Sequence, residues 1–389
     1  MCNVLTGQYP TMSDNSDDSR YRGFVLSDPI RGKAFLFVVA LVVALVLLGF
    51  RVAPLYIEHF RAVNIPSHVI PDSIPHQVMA DSRDGVTINL APPAVPQEAA
   101  EALDRAAQAA RSLNYSGTLV YQHNGRTETS RVLHLADSRG EHEKLINLEG
   151  PAREVVRNNE QIRIYYPDAK VIRLDSRNSR NAFPSLMPQQ RNTLVQYYDS
   201  NAAETELIGG LETQAYIFQP KDGLRYGHKF WADIATGLLV KAQLLNERGF
   251  PLEQFQFSDI QIGAKIDREM VRPTFTPPPP DWQIVPGEVA TQDTGWQVKD
   301  LPPGFTKLVE GYRTLPGKPK KVVHLVYSDG LVAVSVFVED TPEAPQPIGL
   351  SQKDGVNVYS RQLSDHLVTV MGETPSATVR QIAYSVAHR

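Results

Sequence analysis

The residues that could carry chemistry are few and poorly spaced for it. His142-Glu143 supplies the first half of an H-E-x-x-H zinc motif, but position 146 is Ile, so the second imidazole is missing at i+4. Glu141 and Glu143, like Glu204 and Glu206, sit two residues apart on predicted strands. That spacing puts each pair on one strand face, which reads as a solvated surface rather than two carboxylates flanking a glycosidic bond. The ten histidines are scattered, and the single cysteine, Cys2, excludes an intrachain disulfide or a Cys-based zinc site. No G-x-S-x-G, G-x-G-x-x-G or Walker A stretch is present. An enzyme is therefore disfavoured, and neither a cofactor nor a metal is expected.

Composition points the same way. Hydrophobic residues make up 42% and charged residues 21% of the 389, with a net charge of -4. This is an ordinary folded composition without a polyanion-binding signature, so nucleic acid is not an expected partner. The length allows two or three domains.

Residues 1–33 are polar and without period, which predicts a disordered cytoplasmic tail. Ala34 to Phe50, AFLFVVALVVALVLLGF, carries no charge and follows Arg31 and Lys33. It sits at the short end of what crosses a hydrocarbon core of about 30 Å. No A-x-A-like cleavage site follows promptly, so residues 34–50 fit a transmembrane signal anchor better, with a signal peptide as the alternative, and the rest of the chain is expected outside the cytoplasm. Residues 51–95, dotted with prolines, read as a flexible linker.

The folded body is expected in two parts. In residues 96–263, Ala99, Leu103, Ala106, Ala110 and Leu113 recur at helical spacing behind Pro96. A long run of short alternating strands follows, with Asn124-Gly125 supplying a hairpin turn. So many short strands predict an antiparallel meander curling into a half-open barrel. Between two of them, a stretch without alternation and with a helical pattern near Asn192 to Tyr198 reads as a lid. Residues 264–292 are rich in proline, and Pro277 to Pro280 predict an extended spacer of roughly 3.1 Å per residue. Residues 293–389 predict a small α+β unit, with a hairpin at Ser328-Asp329-Gly330 and a final helix capped by Thr374 that buries Val379, Ile382, Ala383 and Val386. The whole is a mixed, mainly β fold.

A curled sheet with a lid has the geometry of a container for apolar ligands. Tyr115, Tyr121, Tyr165, Tyr166, Tyr216, Phe218, Phe230, Trp231, Phe255 and Phe257 either line such a cavity or fill a core.

Several blocks resemble one family in order: LEGPAREVVRNNEQIRIYYP at Leu148 to Pro167, FPSLMP and YYDS in the lid, and KDGLRYGHKFWADIATGLLVKAQLLNERGFPLEQFQF at Lys221 to Phe257. LPPGFTKL, HLVYSDGLVAVSVFV and the terminal VTVMGETPSATVRQIAYSVA continue the series. These are similar to the RseB/MucB family of periplasmic regulators of an extracytoplasmic-stress sigma factor. The resemblance implies a LolA/LolB-like half-open barrel with a helical lid. It implies a smaller domain that docks on the periplasmic segment of an RseA/MucA-like anti-sigma factor and shields it from proteolysis, and release by lipopolysaccharide or another lipid.

On this resemblance the partner-binding residues are expected at Tyr327, Ser328, Asp329, Gly330 and Leu331. Lipid entry is expected at Phe183, Leu186, Met187, Tyr197 and Tyr198. Self-association is left open. The apolar run lies more than forty residues upstream of the folded body, whereas family members begin with a short signal peptide, so a periplasmic protein is expected that is either tethered to the inner membrane by residues 34–50 or unusual in its start. A periplasmic lipid or lipoprotein carrier is the alternative, and a cell-envelope hydrolase a third reading.

Overall fold

The computed structural model describes residues 96–123, 125–176, 194–286, 292–313, 320–341, 347–353 and 355–389. The expected tail, the Ala34 to Phe50 run and the linker lie outside the described residues, as do Phe183, Leu186 and Met187. No described helix is long and apolar enough to cross a membrane.

Helix α1 (Pro96–Ser112) begins with Glu98 in its first turn. Its small-residue face, Ala99, Ala102, Ala106, Ala109 and Ala110 with Leu103, is buried in the largest apolar cluster. Alanine side chains let the helix backbone approach the sheet closely, and they sacrifice little side-chain entropy on burial. Among the described residues the sheet beneath has twelve strands, β1 (Tyr115–His123), β2 (Arg126–Asp137), β3 (Gly140–Asn147), β4 (Glu154–Asn158), β5 (Gln161–Tyr166), β6 (Val171–Ser176), β7 (Tyr198–Ile208), β8 (Leu211–Pro220), β9 (Gly227–Asp233), β10 (Leu239–Leu245), β11 (Pro251–Ile262) and β12 (Gln283–Pro286). Their order is β12-β6-β5-β4-β3-β2-β1-β11-β10-β9-β8-β7. Two meanders, β1 to β6 and β7 to β11, are joined by antiparallel pairing of β1 with β11. Gly117 permits that junction, because a Cβ there would lie 2.4 Å from the Asp259 carbonyl oxygen.

Among the described residues the expected half-open barrel is an open sheet whose end strands are β7 and β12. Of the expected lid, the described residues show one helical turn at 194–197, with Leu194 buried. Eight of the strand aromatics, Tyr115, Tyr121, Tyr216, Phe218, Phe230, Trp231, Phe255 and Phe257, are buried in one cluster with α1. Tyr165 instead faces the other side of the sheet, among Val156, Ile172, Phe275 and Trp282.

The carboxylates at 141 and 143 depart from the expected solvated face. Strand register sets Glu143 opposite Arg157, and Glu143 Oε2 and Glu141 Oε2 accept from that guanidinium at 3.2 and 2.9 Å. Cross-strand pairing draws this acidic pair inward to satisfy a buried cation. Glu204 and Glu206 do lie on the outer rim, paired with Lys229 and Lys241.

The proline-rich stretch is not a free spacer. Lys144 Nζ donates to the Arg272 carbonyl at 2.7 Å and to Thr274 Oγ1 at 3.0 Å, while the Thr274 amide donates to Glu154 at 2.7 Å. Ala264, Ile266 and Val271 pack on Leu133 and Leu135, and the Phe275 and Trp282 rings stand 4.7 Å apart. The chain then adds β12 in parallel to β6. Residues 264–286 form a strap across the outer face, because their apolar side chains find a sheet to cover.

The second unit is a six-stranded antiparallel sheet. It comprises β14 (Thr306–Arg313), β15 (Val322–Ser328), β16 (Ala333–Asp340), β17 (Gly349–Lys353), β18 (Val356–Leu363) and β19 (His366–Gly372), ordered β14-β15-β16-β19-β18-β17. Helix α2 (Ser376–Ser385) buries Thr378, Val379, Ile382 and Ala383. Pro375, not Thr374, stands at the N-cap, and no side chain caps the helix. Val386 lies beyond it, opening β20 (Val386–His388), which pairs with β13 (Trp296–Val298).

Trp282→Ala should detach the end of the strap without unfolding the first sheet. The expected loss is about 1–3 kcal/mol, below that of a fully buried aromatic because Trp282 is half-buried. Limited proteolysis should show new cleavage within residues 264–286 in this variant alone.

Candidate functional site

One residue expected to bind a partner, Asp329, meets one residue expected at the lid, Tyr198. The tip of the β15–β16 hairpin is built by local hydrogen bonds. The Gly330 amide donates to Ser328 Oγ at 2.9 Å, and the Leu331 and Val332 amides donate to Asp329 Oδ1 at 3.0 Å each. Asp side chains form such turns readily because the carboxylate reaches amides two and three residues on. Gly330 takes a φ of 105°, which favours glycine.

The other carboxylate oxygen faces the first sheet. Asp329 Oδ2 accepts from Tyr198 Oη at 2.8 Å and from Arg225 Nη1 at 2.8 Å. Asp329 and the Arg225 side chain are both fully shielded from solvent. Arg225 also donates to the Pro303 carbonyl and to Asp222. Its guanidinium lies over the rings of Tyr197, Phe305 and Tyr198, at 4.7, 5.2 and 5.9 Å from their centroids. Aromatic faces stabilise a desolvated cation. The charge is thus surrounded by acceptors and rings from both units.

Apolar contacts close the seam around this pair. Tyr226, Leu244 and Leu252 of the first unit pack into the core of the second, and Leu331 packs in the opposite direction. Asn357 Nδ2 donates to Tyr226 Oη at 3.2 Å, and Thr378 Oγ1 donates to the Leu224 carbonyl at 2.6 Å.

Burial sets the ionisation. Burial, then the Asp329 charge, raises the Tyr198 phenol well above its ordinary range, keeping it a donor. Burial works against the charged form of Arg225, but Asp329, Tyr198 and Asp222 outweigh it and the pKa rises. His228, whose ring lies 6.2 Å from that of Tyr198, is pushed by burial from 6.5 to about 4, opposed only by Asp329.

The structure brings Tyr198, Asp329, Gly330 and Leu331 together at this seam, with Tyr197 beside them. Tyr327 is also buried but faces inward, its hydroxyl accepting from the Val298 amide at 3.2 Å. Among the described residues no cluster of His, Cys, Asp or Glu is placed to hold a metal ion.

Two family models, the MucB/RseB N-terminal domain and the MucB/RseB C-terminal domain, match residues 98–275 and 290–387. The sigma factor AlgU regulatory protein MucB of Pseudomonas aeruginosa is 31% identical over 299 residues, covering 74% of this chain and 90% of that protein. The chain belongs to the MucB/RseB family. The sigma-E factor regulatory protein RseB of Escherichia coli K12 is 26% identical, covering 72% of this chain and 87% of that protein. A crystal structure of MucB in complex with MucA(peri) aligns at a TM-score of 0.61 and 31% identity, over 75% of this chain and 99% of that one.

Both family domains thus contribute to the seam, the N-terminal one through Tyr198 and Arg225 and the C-terminal one through Asp329. Sequence reading missed Arg225, Tyr226, Asn357 and Thr378. Arg225 lies within the family-like block KDGLRYGHKF, but no local pattern reveals that its partner is 104 residues away.

Asp329→Asn should cost about 3–5 kcal/mol, because it leaves the Arg225 charge buried without its main counter-charge. Arg225→Met combined with Asp329→Asn should cost less than the sum of the two, with a coupling of about 1–3 kcal/mol in a urea-denaturation cycle. Additive costs would show that the pair is not coupled.

Folding should also depend on pH through the buried histidines. Burial lowers His134, like His228, from 6.5 to about 4, so the unfolded chain binds more protons in that interval. The stability they contribute is complete above pH 6.5 and is lost as the pH falls through 4. Denaturation midpoints across that window should fall with acidity, and the slope should shrink in the His134→Gln, His228→Gln variant.

Proposed function

We propose that this protein is a periplasmic regulator that binds the periplasmic segment of a transmembrane anti-sigma factor of the RseA/MucA kind. Bound there, it keeps that segment from regulated proteolysis and holds an envelope-stress sigma factor inactive. The observation that carries this reading is the match, over 99% of its length, to a MucB chain solved with MucA(peri). No reaction is assigned to the protein, whose role rests on binding.

In this proposal a lipid of lipopolysaccharide type is the releasing signal, and a LolA/LolB-like first domain receives it through the lid that ends at Tyr198. The seam supports such coupling, since the residue closing the lid segment and the hairpin of the second domain share the Asp329 carboxylate. A lipid that moves the lid would withdraw one donor from Asp329 and loosen the domain contact. Residues 34–50 would tether the regulator to the inner membrane beside its partner, raising their effective concentration.

The test is binding of the purified chain to the periplasmic segment of its cognate anti-sigma factor, with and without lipid A. Saturable binding at micromolar concentration, together with protection of the segment from its site-1 protease, is expected. No binding in that range overturns the reading. Tyr198→Phe, which removes one hydrogen bond of about 1 kcal/mol, should lower the lipid concentration needed for release.

A further inference from the structure

The strap and the sheet enclose a second concave site, separate from the seam. A cleft of about 230 Å³ lies between the outer face of the first sheet and residues 268–273. Its sheet wall includes Arg139, Asn158, Gln161 and Arg163, and its strap wall carries Arg268 and Arg272. No Asp or Glu is among the lining residues.

The charge balance there is unusual for this chain. Asp137 pairs with Arg268 at 2.6 Å and Glu269 with Arg272 at 3.0 Å, yet neither carboxylate lines the cleft. Arg139 and Arg163 are exposed, and the one side-chain partner of either guanidinium among the described residues is the neutral Tyr165 hydroxyl, at Arg163. The chain as a whole carries -4, so this convergence of guanidinium groups runs against its overall charge. Like charges gathered around a concavity repel one another, and an external counter-ion relieves that repulsion. His142, another lining residue, registers the field. Burial lowers its pKa, Asp137 opposes the shift, and Arg268 and Arg157 add to it.

We infer that this cleft binds a small phosphate-type oxyanion, free or borne by a lipid headgroup. Guanidinium forks match phosphate oxygens in pairs, and the Asn158 and Gln161 amides add neutral donors. An anion held between Arg139 and Arg163 on one wall and Arg268 and Arg272 on the other would staple the strap to the sheet. The site would thereby act on the connection between the two domains, outside the seam and outside the aromatic cluster.

Full-length protein is titrated with inorganic phosphate against sodium chloride at equal ionic strength. In parallel it is mixed with phosphatidylcholine vesicles with or without phosphatidate. Binding is read by calorimetry, by vesicle co-sedimentation and by protease resistance of residues 264–286. Saturable phosphate binding with Kd below about 1 mM is expected, with the strap protected. Arg139→Gln, Arg163→Gln should weaken binding about tenfold or more, and Arg139→Lys, Arg163→Lys should retain a larger share because the charge survives. Both positions are exposed, so circular dichroism should be unchanged. A response to phosphatidate vesicles alone, lost in the Gln variant, assigns the anion to a lipid headgroup. The proposal is overturned if phosphate acts no differently from chloride and phosphatidate adds nothing, or if binding is the same in the Gln variant.

Discussion

The Asp329 carboxylate accepts four hydrogen bonds, and much of the architecture depends on all four being made. Two come from the backbone of its own turn and two from side chains of the other domain. A carboxylate removed from water needs this degree of saturation, since each unfilled lone pair would incur a desolvation cost. The turn geometry and the domain contact are therefore parts of one constraint. The hairpin must close for Oδ2 to face Tyr198 and Arg225, and the domains must dock for a charged residue at the tip to be tolerated inside. Apolar contacts at Tyr226, Leu244 and Leu331 supply area, but such contacts tolerate sliding. The directional bonds to Asp329 fix which residues of the two domains face each other.

A second constraint acts from the opposite side of the first sheet. Lys144 and Glu154 are both nearly buried, and between them they hold the strap at Arg272 and Thr274. The connection between the domains is thus fastened to one of them before it reaches the other. A short remainder of chain joins two anchored points, which limits how far the domains can separate without breaking a buried charge contact.

Much of this was legible in the amino-acid pattern. The alanine face of α1, the meander, the Ser328-Asp329-Gly330 turn and the terminal helix follow from local spacing and turn chemistry, which operate over a few residues. The resemblance to the MucB/RseB family was legible in blocks spread over both matched regions. What was not legible depended on register and on distant pairing. Glu141 and Glu143 looked solvated until strand register set Arg157 against them. The proline run looked like a rod, because four prolines favour extension and nothing local shows that Phe275 and Trp282 have a sheet face waiting. Thr374 looked like a cap by residue type alone. The seam was the least visible, because Arg225 and Asp329 each look like an ordinary surface charge until the domains are docked.

The parallel pairing of β12 with β6 has one more consequence. An open twelve-stranded sheet ends in two rows of backbone donors and acceptors, each a template for sheet growth between molecules. At one end the strap's β12, only four residues long, forms the edge in place of β6, and its Pro286 cannot donate a backbone hydrogen bond to a further strand. At the other, β7 is interrupted by a register shift between Ala202 and Thr205 and carries Glu204 and Glu206 on its rim. The polypeptide that links the domains thus also sets the edge of the sheet, replacing the six-residue β6 by a shorter strand that ends in proline.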